Sequence, residues 1–340
     1  MIAMGPAAID APYLLFLGDV PGGTYAKTAT GIVHWRPESC SGVWRLNDGD
    51  LLGLPAQTPE EAVAAGARTL VIGVVNSGGV LPEDWIVALR RALDAGLDIA
   101  NGLHTRLRSI PELADAARLL GRRLHDVRYP ERVFPVGTGR RRPGNRLLTV
   151  GTDCCVGKMF TALTLERDLL ARGVKATFRA TGQTGIFIAG CGVPVDAVVS
   201  DFVSGAAEEL SPDADVDHWD LIEGQGSLFH PSFAAVSLGL LHGSQPDAMV
   251  MCHVAGRTIV EGAGTPIPTL NDCIAANETA AQVVRPGSKV IGISLNTASL
   301  SAQDAASQIA ETEDALGLPV GDPVRTGLGS IMDAILADDP

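Results

Sequence analysis

Short apolar runs alternate with amphipathic stretches along most of this chain. Residues 13–17 form an apolar run that meets Gly18–Asp19 and a loop containing Pro21, Gly22 and Gly23. Residues 70–75 are apolar apart from Gly73, the pattern of a strand buried on both faces. Between such runs the period changes. Thr58–Pro59–Glu60–Glu61 offers a capping Thr, a Pro at the first helical position and a Glu at the third, which predicts a helix start. Residues 82–95 place Trp85, Ile86, Leu89 and Leu93 near helical spacing, and Gly96 stops that helix. A strand over 97–100, a helix over 111–120 and a strand over 124–129 follow. Strands alternating with helices predict an α/β fold with a parallel sheet and helices on its faces.

A stretch rich in Gly, Pro and Arg, with Arg140–Arg141–Arg142 at its centre, interrupts the alternation. It predicts a first domain over 1–135, a linker over 136–145 and a second domain over 146–340. The linker arginines are expected either to be solvated or to meet a phosphate held by the next loop. Beyond them the pattern predicts a strand over 147–150 and a helix over 160–172 stopped by Gly173. A strand over 174–179 then runs into Thr181–Gly182–Gln183–Thr184–Gly185, and another ends in Glu223–Gly224–Gln225–Gly226. His230–Pro231 opens a helical pattern, buried strands are predicted over 246–254 and 289–294, and helices over 269–284 and 302–316.

Composition narrows the function classes. Hydrophobic content of 46% with only 4% aromatic residues suits Ala/Val/Leu/Ile packing in layered α/β domains. A net charge of -13 argues against nucleic acid or an anionic membrane as partner. The cysteines are Cys40, Cys154, Cys155, Cys191, Cys252 and Cys273, with no CxxC pair, which predicts reduced thiols in a cytoplasmic protein. No signal peptide or membrane-spanning helix is expected.

The strongest chemical signal is Gly151–Thr152–Asp153–Cys154–Cys155–Val156–Gly157–Lys158–Met159. A strand runs into glycine, five residues pass, and Gly–Lys opens a helix. This is the grammar of a phosphate-binding P-loop, in which backbone N–H groups, a helix N-terminus and a lysine converge on an anion. The chain has only four lysines, Lys27, Lys158, Lys175 and Lys289, so one inside the loop is informative. Met159 stands where a Ser or Thr hydroxyl would hold Mg²⁺, so the loop predicts a phosphate that is gripped rather than transferred, as in coenzyme A. Glu223, at the end of a strand of the same sheet, is a candidate general base or metal ligand, and His230 is the histidine expected nearest the ligand. Asp153 and Asp201 are weaker candidates, and His104 is the best histidine of the first domain. No histidine pair has metal-site spacing and no HExxH occurs, so no metal is predicted. Cys154 and Cys155 are expected to serve for their small size rather than as nucleophiles. No G-x-G-x-x-G follows residues 13–17, so a dinucleotide site is not predicted there.

The phosphate loop and the Glu223 turn resemble the dethiobiotin synthetase-like class of P-loop proteins. Further strings make the likeness closer: Gly102–Leu103–His104, the loop through Met159, Thr181–Gly182–Gln183–Thr184–Gly185, the run from Val193 to Phe202, and Leu241–His242–Gly243–Ser244–Gln245–Pro246–Asp247. With these the whole chain resembles the D-glutamate N-acetyltransferase family, and Met159 belongs to that family's pattern. The resemblance implies a Rossmann-like N-terminal domain and a P-loop NTPase-like C-terminal domain. It implies acetyl-CoA-dependent N-acetylation of D-glutamate; residues 151–159 are then expected to hold coenzyme A phosphates, and the amine needs a base, with Glu223 or His230 the first choices. Acetyl-CoA enters as co-substrate, and a homo-oligomer is expected. An acidic substrate in an acidic protein calls for local cations, with Arg179, Lys27 and Arg106 the candidates and Gln183 a further contact. The alternative is an ATP-dependent ligase or kinase-like enzyme acting on a small carboxylic acid through the same loop.

Overall fold

A computed structural model describes residues 9–337 apart from 22, 75–80 and 131. Gly22 of the first glycine loop and Val75 of the predicted second strand therefore lie outside the described residues. The chain forms two compact units. One comprises Met1–Glu131 with Gly182–Ala197, and the other Arg132–Thr181 with Val198–Pro340.

The first unit alternates strand and helix as its pattern predicts. β1 (Tyr13–Gly18), α1 (Lys27–Trp35), β2 (Cys40–Arg45), α2 (Pro59–Ala64), β3 (Thr69–Ile72), α3 (Glu83–Ala95), β4 (Asp98–Asn101), α4 (Pro111–Leu120) and β5 (Leu124–Asp126) follow in order. The strands make one parallel sheet in the order β2-β1-β3-β4-β5. β2 carries no clean apolar run and escapes the sequence pattern. All six residues of β1 are buried, as its continuous apolar run requires. Phe16 packs against Trp44 and, edge-on at 5.5 Å, Trp85. The α2 capping box forms: Thr58 N–H donates to Glu61 Oε2 at 2.8 Å, and Glu61 N–H to Thr58 Oγ1 at 3.3 Å.

The second unit begins before its first strand. Residues 132–144, most of them predicted as a linker, are bonded into this unit. Thr138 and Gly139 donate their N–H groups to the Glu208 carboxylate, and Arg142 is buried. The arginine run thus divides. Arg140 reaches exposed Asp213 at 3.0 Å, whereas Arg142 turns inward onto main-chain carbonyls. β6 (Asn145–Gly151) follows, then α5 (Lys158–Ala171) and β7 (Ala176–Arg179).

After β7 comes a surprise that periodicity does not encode. α6 (Gln183–Ala189) belongs to the first unit, with Ile186, Phe187 and Ile188 buried. Tyr13 Oη–H donates to the Phe187 carbonyl at 3.4 Å, and Thr28 and Thr184 hydroxyls meet at 3.3 Å. The chain then returns for α7 (Val203–Leu210), β8 (Trp219–Ile222), α8 (Ala234–Ser244), β9 (Ala248–Val254), α9 (Leu270–Gln282), β10 (Lys289–Asn296), α10 (Ala302–Leu316), β11 (Val320–Gly321) and α11 (Gly329–Ala337). Its six-stranded sheet is parallel, in the order β11-β10-β9-β6-β8-β7. β6 lies between β9 and β8, so the loop that leaves it sits at the centre of the sheet's C-terminal edge. Ligands of open parallel sheets gather there. Among the described residues no helix is long and apolar enough to cross a membrane.

Candidate functional site

The site is built around the turn from β6 into α5. Gly157 has φ of 102°, a left-handed value that glycine adopts without strain, and it places Lys158 at the helix start. Thr152 N–H continues the ladder onto the Cys252 carbonyl at 3.1 Å. Among the described residues, the N–H groups of Cys155, Val156, Gly157, Lys158 and Met159 find no protein acceptor, which leaves a run of five successive backbone donors.

Lys158, the first residue of α5, folds back into this turn. Its ammonium is enclosed, and Nζ donates to the Asp153 carbonyl at 2.9 Å. Burial pulls its pKa below the ordinary lysine value, partly opposed by the thiols of Cys252, Cys154 and Cys155 and by Asp153. Small neighbours make room. A Cβ on Gly151 would stand 3.2 Å from Lys158 Nζ, and one on Gly224 would stand 2.9 Å from Lys158 Cδ.

Asp153 organises the loop from below. It is fully buried; Oδ1 accepts from Cys154 N–H at 2.7 Å, and Oδ2 accepts from Glu261 N–H at 2.8 Å and Arg257 Nη1 at 3.1 Å. Arg257 Nη1 also donates to the Cys154 carbonyl and to Glu261 Oε2. The segment after β9 is therefore latched to the phosphate loop. Thr152 Oγ1 bonds His253 Nδ1 at 2.9 Å, and burial, then nearby Arg257, lowers that imidazole's pKa. Sequence inspection misses Arg257, Glu261 and His253, since no local motif surrounds them. The one available signal is that β9 neighbours β6, so its C-terminal loop must lie beside the phosphate loop.

Glu223 and His230, the two candidate bases, flank the same turn. Glu223 is buried; its Oε2 accepts the Thr181 N–H at 2.9 Å and its carbonyl accepts the Thr181 hydroxyl at 2.6 Å. Next to it, Gly224 N–H donates to Thr149 Oγ1 at 2.9 Å. Gly224 has ordinary backbone angles, yet a Cβ there would sit 1.7 Å from the Thr149 carbonyl oxygen. Gly224→Ala should therefore force β8 away from β6, costing about 2–4 kcal/mol and the loop's ligand affinity together. Urea unfolding and a binding titration of the same variant check this; retention of both contradicts the packing.

His230 has both ring nitrogens engaged. Nδ1 accepts from Ser232 N–H at 3.1 Å, which puts the proton on Nε2, and that N–H donates to the Glu261 carbonyl at 3.2 Å. Donor atoms of Asp153, Cys154 and His230 lie within 4.8 Å of one another, close enough to test as a metal centre. The fit is poor. The imidazole lone pair is taken by a backbone amide and each Asp153 oxygen already accepts a hydrogen bond, so binding would have to dismantle the latch. Burial also raises the Cys154 thiol pKa, with Lys158 opposing, so this is no activated nucleophile.

The acceptor-binding candidates separate. Arg179 Nε donates to buried Asp220 Oδ1 at 2.8 Å, which holds the side chain within the β7–β8 pair. Lys27 is exposed at the start of α1, and Gln183 opens α6 with its Cγ where a Cβ on Gly102 would touch. Arg106 stacks on Tyr129 at 3.9 Å beside a hollow of about 310 Å³ that Arg108, Asp126 and Pro130 also line. These three belong to the first unit. His104 is exposed there, its carbonyl accepting the Tyr129 hydroxyl, and Asp201 is exposed in the second unit.

A central parallel strand feeding a glycine–lysine anion loop defines the second unit as a P-loop domain, and the five-stranded parallel sheet defines the first as Rossmann-like. The chain belongs to the DUF1611 family: the family's P-loop domain, of unknown function, matches residues 135–332, and its Rossmann-like domain, also of unknown function, matches 47–130. It is 50% identical over 331 residues to a D-glutamate N-acetyltransferase of Tritonibacter scottomollicae, covering 97% of this chain and 99% of that protein. A D-glutamate N-acetyltransferase of a Pseudoalteromonas species is 46% identical, covering 95% of this chain and 98% of the relative. The crystal structure of a family member from Anabaena variabilis superposes with a TM-score of 0.86 at 35% identity, covering 97% of this chain and all of that one.

Proposed function

We propose that the protein transfers the acetyl group of acetyl-CoA to the amine of D-glutamate, with the P-loop holding phosphates of coenzyme A. The observation that carries this reading is the near-full-length identity to two proteins of that name. The loop's chemistry is compatible with it. Lys158 and the unspent amides suit a phosphate, and the Met159 thioether is a poor ligand for the hard Mg²⁺ that phosphoryl transfer requires.

In this reaction the ammonium of D-glutamate sheds a proton, the free amine attacks the thioester carbonyl, and the tetrahedral intermediate expels coenzyme A as its thiol. Lys27 and Arg106 are assigned to the two carboxylates of the acceptor, with Gln183 as a further contact. Arg179 is a weaker choice because Asp220 occupies it. Of the candidate bases, Glu223 is the first choice, since a carboxylate has further lone pairs beside the one that holds Thr181 N–H, whereas the single Nδ1 lone pair of His230 is taken by Ser232 N–H.

Thiol release from acetyl-CoA, followed with a disulfide dye across D- and L-amino acids, tests the proposal. Release with D-glutamate and no nucleotide is the expected result. Mg·ATP turnover with no thiol release from any amino acid would overturn it. Glu223→Gln keeps an oxygen for the Thr181 N–H but cannot take a proton. It should lower kcat by roughly 100-fold or more with KM for acetyl-CoA little changed. Equal losses in kcat and coenzyme A affinity would instead make Glu223 a strut for the turn at 181.

A further inference from the structure

The geometry points to Arg257 as the second cation of the phosphate loop, contacting the bound phosphate where nucleotide-hydrolysing P-loops use a divalent metal. This rests on the proposed function only for the identity of the compound that carries the phosphate.

The position of the guanidinium is fixed by one nitrogen. Nη1 takes three acceptors: Asp153 Oδ2 at 3.1 Å, the Cys154 carbonyl at 3.0 Å and Glu261 Oε2 at 3.2 Å. The Cys154 carbonyl belongs to the loop itself, so the guanidinium lies against the loop's wall. Among the described residues every side-chain bond of Arg257 leaves from Nη1 and none from Nε or Nη2, although the side chain is only 23% exposed. An arginine anchored through one nitrogen with a planar edge left over is preorganised for a phosphate.

Charge balance leads the same way. Asp153 and Glu261 offset Lys158 and Arg257, so the site is near neutral before an anion enters. A phosphate then needs positive edges aimed at it, and elsewhere Mg²⁺ bridging a Ser or Thr hydroxyl supplies them. Met159 offers only a soft thioether in that place. Asp153, the nearby carboxylate, already holds Cys154 N–H, Glu261 N–H and Arg257. The arginine thus occupies the electrostatic role that the metal would otherwise fill.

The test is calorimetric titration of the full-length protein with coenzyme A and, separately, ADP, in EDTA and in excess Mg²⁺. Binding in EDTA, changed less than about threefold by Mg²⁺, is expected. Arg257→Gln should weaken it roughly 10- to 100-fold, the range for one charge-assisted hydrogen bond, while Arg257→Lys should recover part of the loss. Glu261→Gln keeps the backbone latch and releases the guanidinium, so affinity should hold or tighten. Equal losses in the Gln and Lys variants, or weakening by Glu261→Gln, would make Arg257 a structural latch. Binding that requires Mg²⁺, or no binding of either compound, would overturn the inference. ADP binding without coenzyme A binding would spare Arg257 and instead remove the coenzyme A reading.

Discussion

Lys158→Ala should cost the protein its phosphate ligand, lowering coenzyme A affinity and kcat/KM for acetyl-CoA by about 100-fold. The ammonium is enclosed by the loop, so a phosphate held there as proposed would meet it with little intervening water. A hydrogen bond to a charged group contributes about 1.5–3 kcal/mol, and a doubly charged phosphate engages the top of that range. About 3 kcal/mol is roughly 150-fold. Folding should not suffer. Burial disfavours this ammonium and lowers its pKa, and the Asp153 carbonyl with the nearby thiols repays only part of that desolvation. The variant should therefore unfold at an equal or slightly higher temperature. Lys158→Arg should fail as well, since the planar guanidinium is bulkier than the enclosed ammonium it would replace. Coenzyme A titration and a melting curve on the same samples check both halves. Unchanged affinity would mean that the loop grips something else.

The loop was legible because it is local. Strand, glycine, spacer and Gly–Lys are contiguous, and each follows from propensity or backbone geometry over fourteen residues or fewer. The α2 capping box and the glycine stop of α3 were readable for the same reason. What could not be read depends on distant partners. Gly224 has no local reason to be glycine, and only the Thr149 carbonyl, brought close by β6–β8 pairing, explains it. Arg257 and Glu261 reach the loop because β9 lies beside β6. Arg179 ends its strand like an open cation, and only β7–β8 pairing brings Asp220, forty-one positions away, into hydrogen-bond contact with it. α6 carries apolar residues that would suit either unit, and its sequence does not state which sheet it will cover. Charges were hardest of all, since polarity alone does not separate a solvated arginine from a buried one.

Arg142→Leu should destabilise the second unit by about 3–5 kcal/mol, whereas Arg140→Ala, two positions away, should cost less than about 1 kcal/mol. The two residues belong to one basic run and differ only in what they touch. Arg140 meets Asp213 in solvent, where ion pairs contribute little. Arg142 is buried, and its fork caps two helices at once. Nη1 donates to the Glu208 and Ser211 carbonyls at the end of α7, at 2.8 and 2.5 Å. Nη2 donates to the Gly243 and Ser244 carbonyls at the end of α8, at 2.6 and 3.1 Å. Helix C-termini leave such carbonyls without partners and carry partial negative charge, so one cation between two ends is doubly favourable. Burial and neighbouring Arg146 pull the guanidinium down to about 10, which still leaves it charged at neutral pH. Leucine would fill the volume and strand four buried acceptors, each costing about 1 kcal/mol or more. Lysine would keep the charge, but three donors on one nitrogen cannot span carbonyls of both helices, so Arg142→Lys should fall between the two. Chemical denaturation of the three variants decides the matter. Similar midpoints for Arg142→Leu and Arg140→Ala would mean that the run is a solvated linker after all; a gap that closes only partly with lysine would mean that the fork holds α7 and α8 together.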